Sequence, residues 1–243
     1  MGSTSETFSA PPQVLSFDGL LFDFDGTIVD STPAIIKHWH RTNGRLTQLG
    51  AEVGLDPETI LKTSHGRRSI DVLKIIAPEK ANWEYVSHVE GLIPKDFGQD
   101  ATEIPGARLL LSTLETAGAP WAVVTSGTRA LVNGWLGVLN LAQPKHLVVA
   151  EDVEVGKPDP RCYLMGRARL GLGEGAQMLV VEDAPSGIRA GKAAGFKVLA
   201  LATTHKLEQL KEAGADWIVE DLRSVELKGC NGKVEIEILN ALQ

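Results

Sequence analysis

Apolar, β-branched runs recur at residues 20–23, 121–125, 147–150, 178–182, 198–202 and 217–219, each followed by a helical pattern or a turn. Runs without polar alternation read as strands buried on both faces, and their alternation with helices predicts an α/β fold: a Rossmann-like parallel sheet flanked by helices. Between Asp30 and Glu103 the pattern changes, with helical stretches at 33–49, 57–63, 70–76 and 83–93 and no convincing strand. About seventy residues of helix exceed an ordinary strand-to-helix connection. They are therefore expected to form a small helical cap domain, residues 30–102, inserted into a core made of residues 16–29 and 103–243. An insert beside a strand-end site is placed to act as a lid. Residues 1–15, whose first dozen are small, polar and proline-containing, read as a flexible tail.

The first run ends Leu20-Leu21-Phe22-Asp23-Phe24-Asp25-Gly26-Thr27. Strand alternation aims Asp23 and Asp25 at one face and Phe24 at the other. Two carboxylates that close repel one another, so a cation between them or a proton on one of them is required. Gly26 allows a sharp exit from the strand and close approach of a ligand, while Thr27 and Thr32 bring hydroxyls to the following helix start.

Composition narrows the class. The chain has 243 residues, 43% of them hydrophobic, and a net charge of −7, so there is core material for an enzyme and no basic footprint for nucleic acid. No apolar stretch reaches membrane-spanning length and no secretory signal pattern opens the chain. A cytoplasmic monomer with no nucleic-acid or membrane partner is the expectation. Cys162 and Cys230 stand far apart without the clustering of a disulfide scaffold or a zinc site.

Three later strand ends or loops carry further polar groups. Val124-Thr125-Ser126-Gly127-Thr128-Arg129 is a hydroxyl-rich turn into a helix, where backbone N–H groups and the Ser126 hydroxyl would cradle an anion. Gly156-Lys157-Pro158-Asp159-Pro160 presents one lysine, suited to an anionic substrate, in a stiff loop. Val181-Glu182-Asp183-Ala184-Pro185 ends a strand in two acids, oxygen ligands that suit a hard cation such as Mg²⁺.

In order and spacing these four segments resemble the haloacid-dehalogenase-like phosphohydrolases over nearly the whole chain after the tail. The resemblance implies Asp23 as the nucleophile that forms an aspartyl-phosphate and Asp25 as general acid and base. It implies a phosphate held by Ser126, Gly127 and Lys157, and Mg²⁺ held by Asp23, the main-chain carbonyl of Asp25 and Asp183, with Glu182 alongside or acting through water. The leaving-group acid Asp25 favours phosphoryl transfer over dehalogenation. The stretches Ser64-His65-Gly66, Trp121 to Arg129, Glu182 to Gly195 and Ala202-Thr203-Thr204-His205 are similar to the fungal glycerol-3-phosphate and 2-deoxyglucose-6-phosphate phosphatase group.

That similarity implies hydrolysis of a small polyol or sugar phosphate, glycerol-3-phosphate first, with 2-deoxyglucose-6-phosphate or another hexose or hexitol phosphate as the alternative. A phosphosugar mutase or a non-catalytic phosphate-binding protein would use the same core. Substrate choice would then lie in the cap loop, at His65, Gly66, Arg67 and Arg68. Trp39, Trp83, Trp121, Trp135 and Trp217 read as packing residues. His38 and His40 lack the spacing of a helical metal pair and read as surface or cap residues, and Lys192 and Lys197 read as solvated.

Overall fold

In the computed structural model, residues 7–38 and 66–243 are described, and a six-stranded parallel sheet forms their centre. In chain order the elements are β1 (Gln13–Phe17), β2 (Gly19–Phe22), β3 (Val29–Asp30), α1 (residues 32–38), α2 (Ser69–Ile76), α3 (Trp83–Phe97) and β4 (Thr102–Glu103). They continue with α4 (Ala107–Thr116), β5 (Trp121–Val124), α5 (Arg129–Val138), β6 (Leu147–Val148), α6 (Arg161–Arg169), β7 (Met178–Glu182) and α7 (Pro185–Ala193). The last are β8 (Lys197–Leu201), α8 (Leu207–Glu212), β9 (Trp217–Val219), β10 (Val225–Cys230) and β11 (Val234–Ile238).

The sheet order is β6-β5-β2-β7-β8-β9. From the central β2 the chain goes outward through β5 to β6, then returns to build β7 to β9 on the other side. The C-terminal end of β2 therefore opens at the switch point, where open α/β sheets leave a crevice for ligands. Both faces of the strands are covered, which explains their unbroken apolar runs. Leu20, Phe22, Val123 and Val181 join one core with Leu110 and Leu114 of α4 and Leu131 and Trp135 of α5. Leu21, Val124 and Val180 join the other, with Tyr163 of α6 and Ile188 of α7. Each such side chain, fully buried, contributes about 1.5–3 kcal/mol.

An antiparallel sheet in the order β1-β11-β10 flanks this layer. Its inward residues Phe17, Val225, Val234, Ile236 and Ile238 extend the first core. Residues 13–15, expected to be tail, instead pair with residues 236–238, and the Ser9 and Ala10 N–H groups donate to the Ala241 carbonyl at 3.2 and 2.9 Å. The reason is a short alternation in which Leu15 and Phe17 turn inward while Val14 and Ser16 face out, against an edge that needs a partner. Lys192 and Lys197 are exposed, as expected, and both also reach the Asp216 carboxylate at 2.7 Å.

Between β3 and β4, α2 and α3 share a small cluster of their own, including Ile70, Leu73, Ile76 and Val86. Asn82 caps α3 by accepting from the Tyr85 N–H at 2.9 Å, and the helix continues through Pro94. The Pro94 ring lies against Gly134 of α5, where a Cβ would come within 2.6 Å of its Cγ, so a glycine at 134 lets the two helices meet. His38 is buried edge-on against Phe97, 6.2 Å between ring centres. The rest of the helix expected at 33–49, the helix at 57–63, Trp39, His40 and His65 lie outside the described residues. Among the described residues no helix is long and apolar enough to cross a membrane.

Candidate active site

Asp23 stands one residue beyond β2, its N–H still donating to the Val181 carbonyl at 2.9 Å. The chain then folds back on itself: the N–H groups of Thr27, Ile28 and Val29 all reach the Phe24 carbonyl, at 3.3, 2.8 and 3.0 Å. Phe24 is buried on the opposite side from the acids. Gly26 has φ +88°, and a Cβ there would lie 2.2 Å from Asp183 Oδ2, so glycine is required on both counts.

The Lys157 ammonium is buried at the centre of the site. It donates to Asp23 Oδ1 at 2.5 Å, Glu182 Oε1 at 2.7 Å and the Val124 carbonyl at 3.2 Å. Burial works against its charge, but the carboxylates of Asp23 and Glu182 outweigh it and hold its pKa above the ordinary lysine value. Tyr163 adds a hydroxyl donated to Glu182 Oε1 at 2.9 Å, and its ring lies 5.1 Å from the ammonium. Glu182 Oε2 accepts from the Asp183 and Ala184 N–H groups at 2.9 and 2.8 Å. Glu182, expected beside the metal, thus has both oxygens engaged by protein donors. It is the anchor that orients Lys157 and the β7 end.

Asp183 accepts from Thr27 Oγ1 at 3.3 Å on one oxygen and from Thr204 Oγ1 on the other. Burial, then the charge of Glu182, pushes its pKa up to about 8. Asp23 is also raised, by burial first, against the pull of Lys157. Carboxylate oxygens of Asp23, Glu182 and Asp183 lie within 4.8 Å of one another. An all-oxygen set in which Asp23 and Asp183 both resist ionisation fits a hard divalent cation, which would relieve that crowding. The Asp25 side chain stands outside this triplet, accepting from Ser31 Oγ at 2.5 Å, and burial pushes its pKa up to about 6.

Ser126 and Gly127 line the same cleft as Asp23, Asp25 and Asp183. The anion cradle expected at the start of α5 is, however, already filled by protein carboxylates. Thr128 N–H donates to Glu90 Oε2 at 2.8 Å, and Arg129 N–H to Glu151 at 3.2 and 3.3 Å. Gly127 N–H turns to Thr125 Oγ1 at 3.0 Å. The sequence reading overlooked Glu90. Its signal was an acid in an apolar stripe, Val86, Glu90, Ile93, at the i, i+4, i+7 spacing of a buried helix face.

The loop before α2 divides in two. Gly66, φ +74°, is threaded between strand ends: its carbonyl accepts from Ser126 Oγ at 3.0 Å and Ser186 Oγ at 3.2 Å. Arg67 is exposed and lines the cleft. Arg68, expected to read substrate, is 3% exposed and points away from it. Its guanidinium grips Asp71 at 2.7 and 2.9 Å and donates to the carbonyls of Val153 at 2.5 Å and Glu154 at 2.9 Å. It joins α2 to the core loop that carries Lys157.

Residues 20–201 match the haloacid dehalogenase-like hydrolase family, and the chain belongs to it. The match spans β2 to β8 and includes every acid and lysine of the cleft. Among its relatives, glycerol-1-phosphate phosphohydrolase 2 of Saccharomyces cerevisiae is 40% identical over 98% of this chain and 94% of its own. The 2-deoxyglucose-6-phosphate phosphatase 1 of the same yeast is 35% identical over 93% of this chain and 97% of its own. A hydrolase from Pseudomonas syringae shares the fold, with a TM-score of 0.68 and 24% identity over 84% of this chain and 94% of its own. Within the family the chain is a phosphoric monoester hydrolase.

Proposed function

We propose that the enzyme hydrolyses terminal phosphate esters of glycerol, glycerol-3-phosphate foremost, using Mg²⁺ held by Asp23, Asp183 and the main-chain carbonyl of Asp25. The observation that carries the mechanism is the division of labour between two neighbouring acids: Asp23 is fixed by Lys157, while Asp25 accepts from the Ser31 hydroxyl and burial pushes its own carboxyl pKa up to about 6. A carboxyl poised near neutrality both gives and takes a proton.

Asp23 attacks phosphorus as the ester P–O bond breaks, and Asp25 protonates the departing glycerol alkoxide. Asp25 then takes a proton from water, whose oxygen attacks the aspartyl-phosphate, releasing phosphate and restoring Asp23. Lys157 and Ser126 hold charge on the phosphoryl oxygens, and Lys157 also aims Asp23 and opposes its protonation. Ser126 must exchange Gly66 for substrate to do so. Bound Mg²⁺ supplies the positive charge that lets an anionic nucleophile approach an anionic ester. Residues 30–102 serve as the cap, and Gly66 and Arg67, with His65, read the part of the substrate beyond phosphate.

The similarity to the yeast glycerol phosphate and deoxyglucose phosphate enzymes supports a small polyol or sugar phosphate. Phosphate release from both glycerol phosphate enantiomers, 2-deoxyglucose-6-phosphate and hexitol phosphates, with Mg²⁺ and in chelator, tests the reading. A glycerol phosphate is expected to have the highest kcat/KM, with activity lost in chelator and restored by Mg²⁺. A faster hexose or hexitol phosphate would replace the substrate, and full activity in chelator would remove the metal.

A further inference from the structure

Glu90 lies on the core-facing side of α3 and is only 6% exposed. A carboxylate is a costly occupant of such a position unless its oxygens are satisfied. Its two oxygens are used in two directions. Oε1 accepts from Ser69 Oγ, in the first turn of α2, at 2.5 Å; Oε2 accepts from the main-chain N–H of Thr128 at 2.8 Å. Thr128 directly follows Ser126 and Gly127, and Glu90 lines the cleft with them and with Asp25.

We infer that Glu90 is a positioning residue for phosphoryl transfer: it fixes the Ser126–Thr128 turn from the inserted helices, so the phosphate-holding hydroxyl is aligned only while α3 is seated on the core. The inference rests on the proposed role of Ser126. Two observations separate Glu90 from an ordinary helix cap. The helix already has one, since the Thr128 hydroxyl accepts from the Leu131 N–H at 3.3 Å, whereas Glu90 reaches Thr128 across 38 residues of chain. The next N–H, that of Arg129, is covered by Glu151, which also accepts from Ser87 Oγ of α3 at 3.3 Å. Two carboxylates, one from each side, thus tie this one helix start to α3. Burial, with the Asp25 charge adding to it, raises the Glu90 pKa, in keeping with a group enclosed beside the reacting acids.

The test is a kinetic cycle of Glu90→Ala, Ser126→Ala and the double variant on glycerol-3-phosphate with Mg²⁺, with inorganic phosphate as a competing ligand. Misplacement by about 1 Å costs roughly 10²-fold in rate. Glu90→Ala is therefore expected to lose about 10–100-fold in kcat/KM and to bind phosphate more weakly, while Glu90→Gln, which keeps an acceptor for Thr128, recovers most of the loss. In the double variant the Glu90 effect should shrink to less than about threefold, because the group it positions is gone. Effects that multiply, or a Glu90→Ala enzyme with wild-type kcat/KM and phosphate affinity, would overturn the inference. Should Glu90→Ala fail to fold, Glu90→Asp takes its place in the cycle, since the shorter acid cannot span Ser69 and Thr128 together. A Ser126→Ala enzyme with unchanged kinetics would refute the role of Ser126 instead. With it would fall the alignment assigned to Glu90, whereas an impaired Ser126→Ala beside an unimpaired Glu90→Ala would overturn the Glu90 inference alone.

Discussion

Lys157→Met removes one positive charge and leaves a side chain of similar length. In the native site that ammonium bridges Asp23 and Glu182, whose side chains are 9% and 1% exposed, and Asp183 offers a third carboxylate within 4.8 Å. Removing one partner of a buried ion pair costs about 3–5 kcal/mol, because the remaining charge is stranded. Here one cation serves two acids, so the upper part of that range, about 4–5 kcal/mol, is expected. For a chain of this size each kcal/mol moves the midpoint by about 2–4 °C, a fall of about 8–20 °C in chelator. Mg²⁺ replaces part of the lost charge and should raise the midpoint of the variant more than that of the wild type. Thermal unfolding at pH 7, in chelator and in Mg²⁺, measures both effects. A variant midpoint within about 2 °C of wild type in chelator would refute the electrostatic account of the site.

Arg67→Ala should shift relative kcat/KM between glycerol and hexose phosphates by about 10-fold or more while changing p-nitrophenyl phosphate less, since a lost substrate hydrogen bond penalises only substrates that made it. Arg68→Ala should do the reverse, costing about 2–4 kcal/mol in urea unfolding with substrate preference unchanged, because its guanidinium serves Asp71 and main-chain carbonyls. Asp216 is partly buried, which opposes its charge, but hydrogen bonds from Lys192, Lys197 and the Val198 N–H prevail and hold its carboxyl below the ordinary range. Its stabilising contribution is present above the unfolded aspartate pKa of about 4 and is lost as pH falls through the lower folded value. Asp216→Asn should accordingly lose less stability than wild type between pH 5 and 3, followed by unfolding at each pH.

The central strands were legible because each is an apolar run long enough to be buried on both faces, and the acids at their ends marked the crevice. Asp23, Asp25, Ser126 and Asp183 converge there because strand order, which no local pattern encodes, brings β2, β5 and β7 side by side. The β10–β11 hairpin was missed although its alternation and its Asn231-Gly232 turn, with Gly232 at φ +80°, are ordinary hairpin signals. A sheet with one wet face shows alternation in place of unbroken apolar runs. The N-terminal strand β1 was missed for a different reason: it directly follows a small, polar, proline-containing stretch that reads as a tail, and its sheet partner β11 is distant in sequence. Arginines 67 and 68 are indistinguishable in sequence. Burial against the Lys157 loop separates them, and that contact spans more than eighty residues, as the 85-residue separation of Arg68 and Val153 illustrates. Glu90 escaped notice because an acid on a helix is usually solvated, and its partner is a main-chain N–H.

The central claim is that Asp23 takes the phosphoryl group. Enzyme mixed with excess glycerol-3-phosphate and Mg²⁺, quenched in acid and reduced with borohydride, converts an aspartyl-phosphate to homoserine that peptide mass spectrometry locates. The account predicts homoserine at position 23, dependent on substrate and absent in Asp23→Asn, which should also release no phosphate. Undiminished phosphate release by Asp23→Asn, or label at Asp25 in place of Asp23, would contradict it.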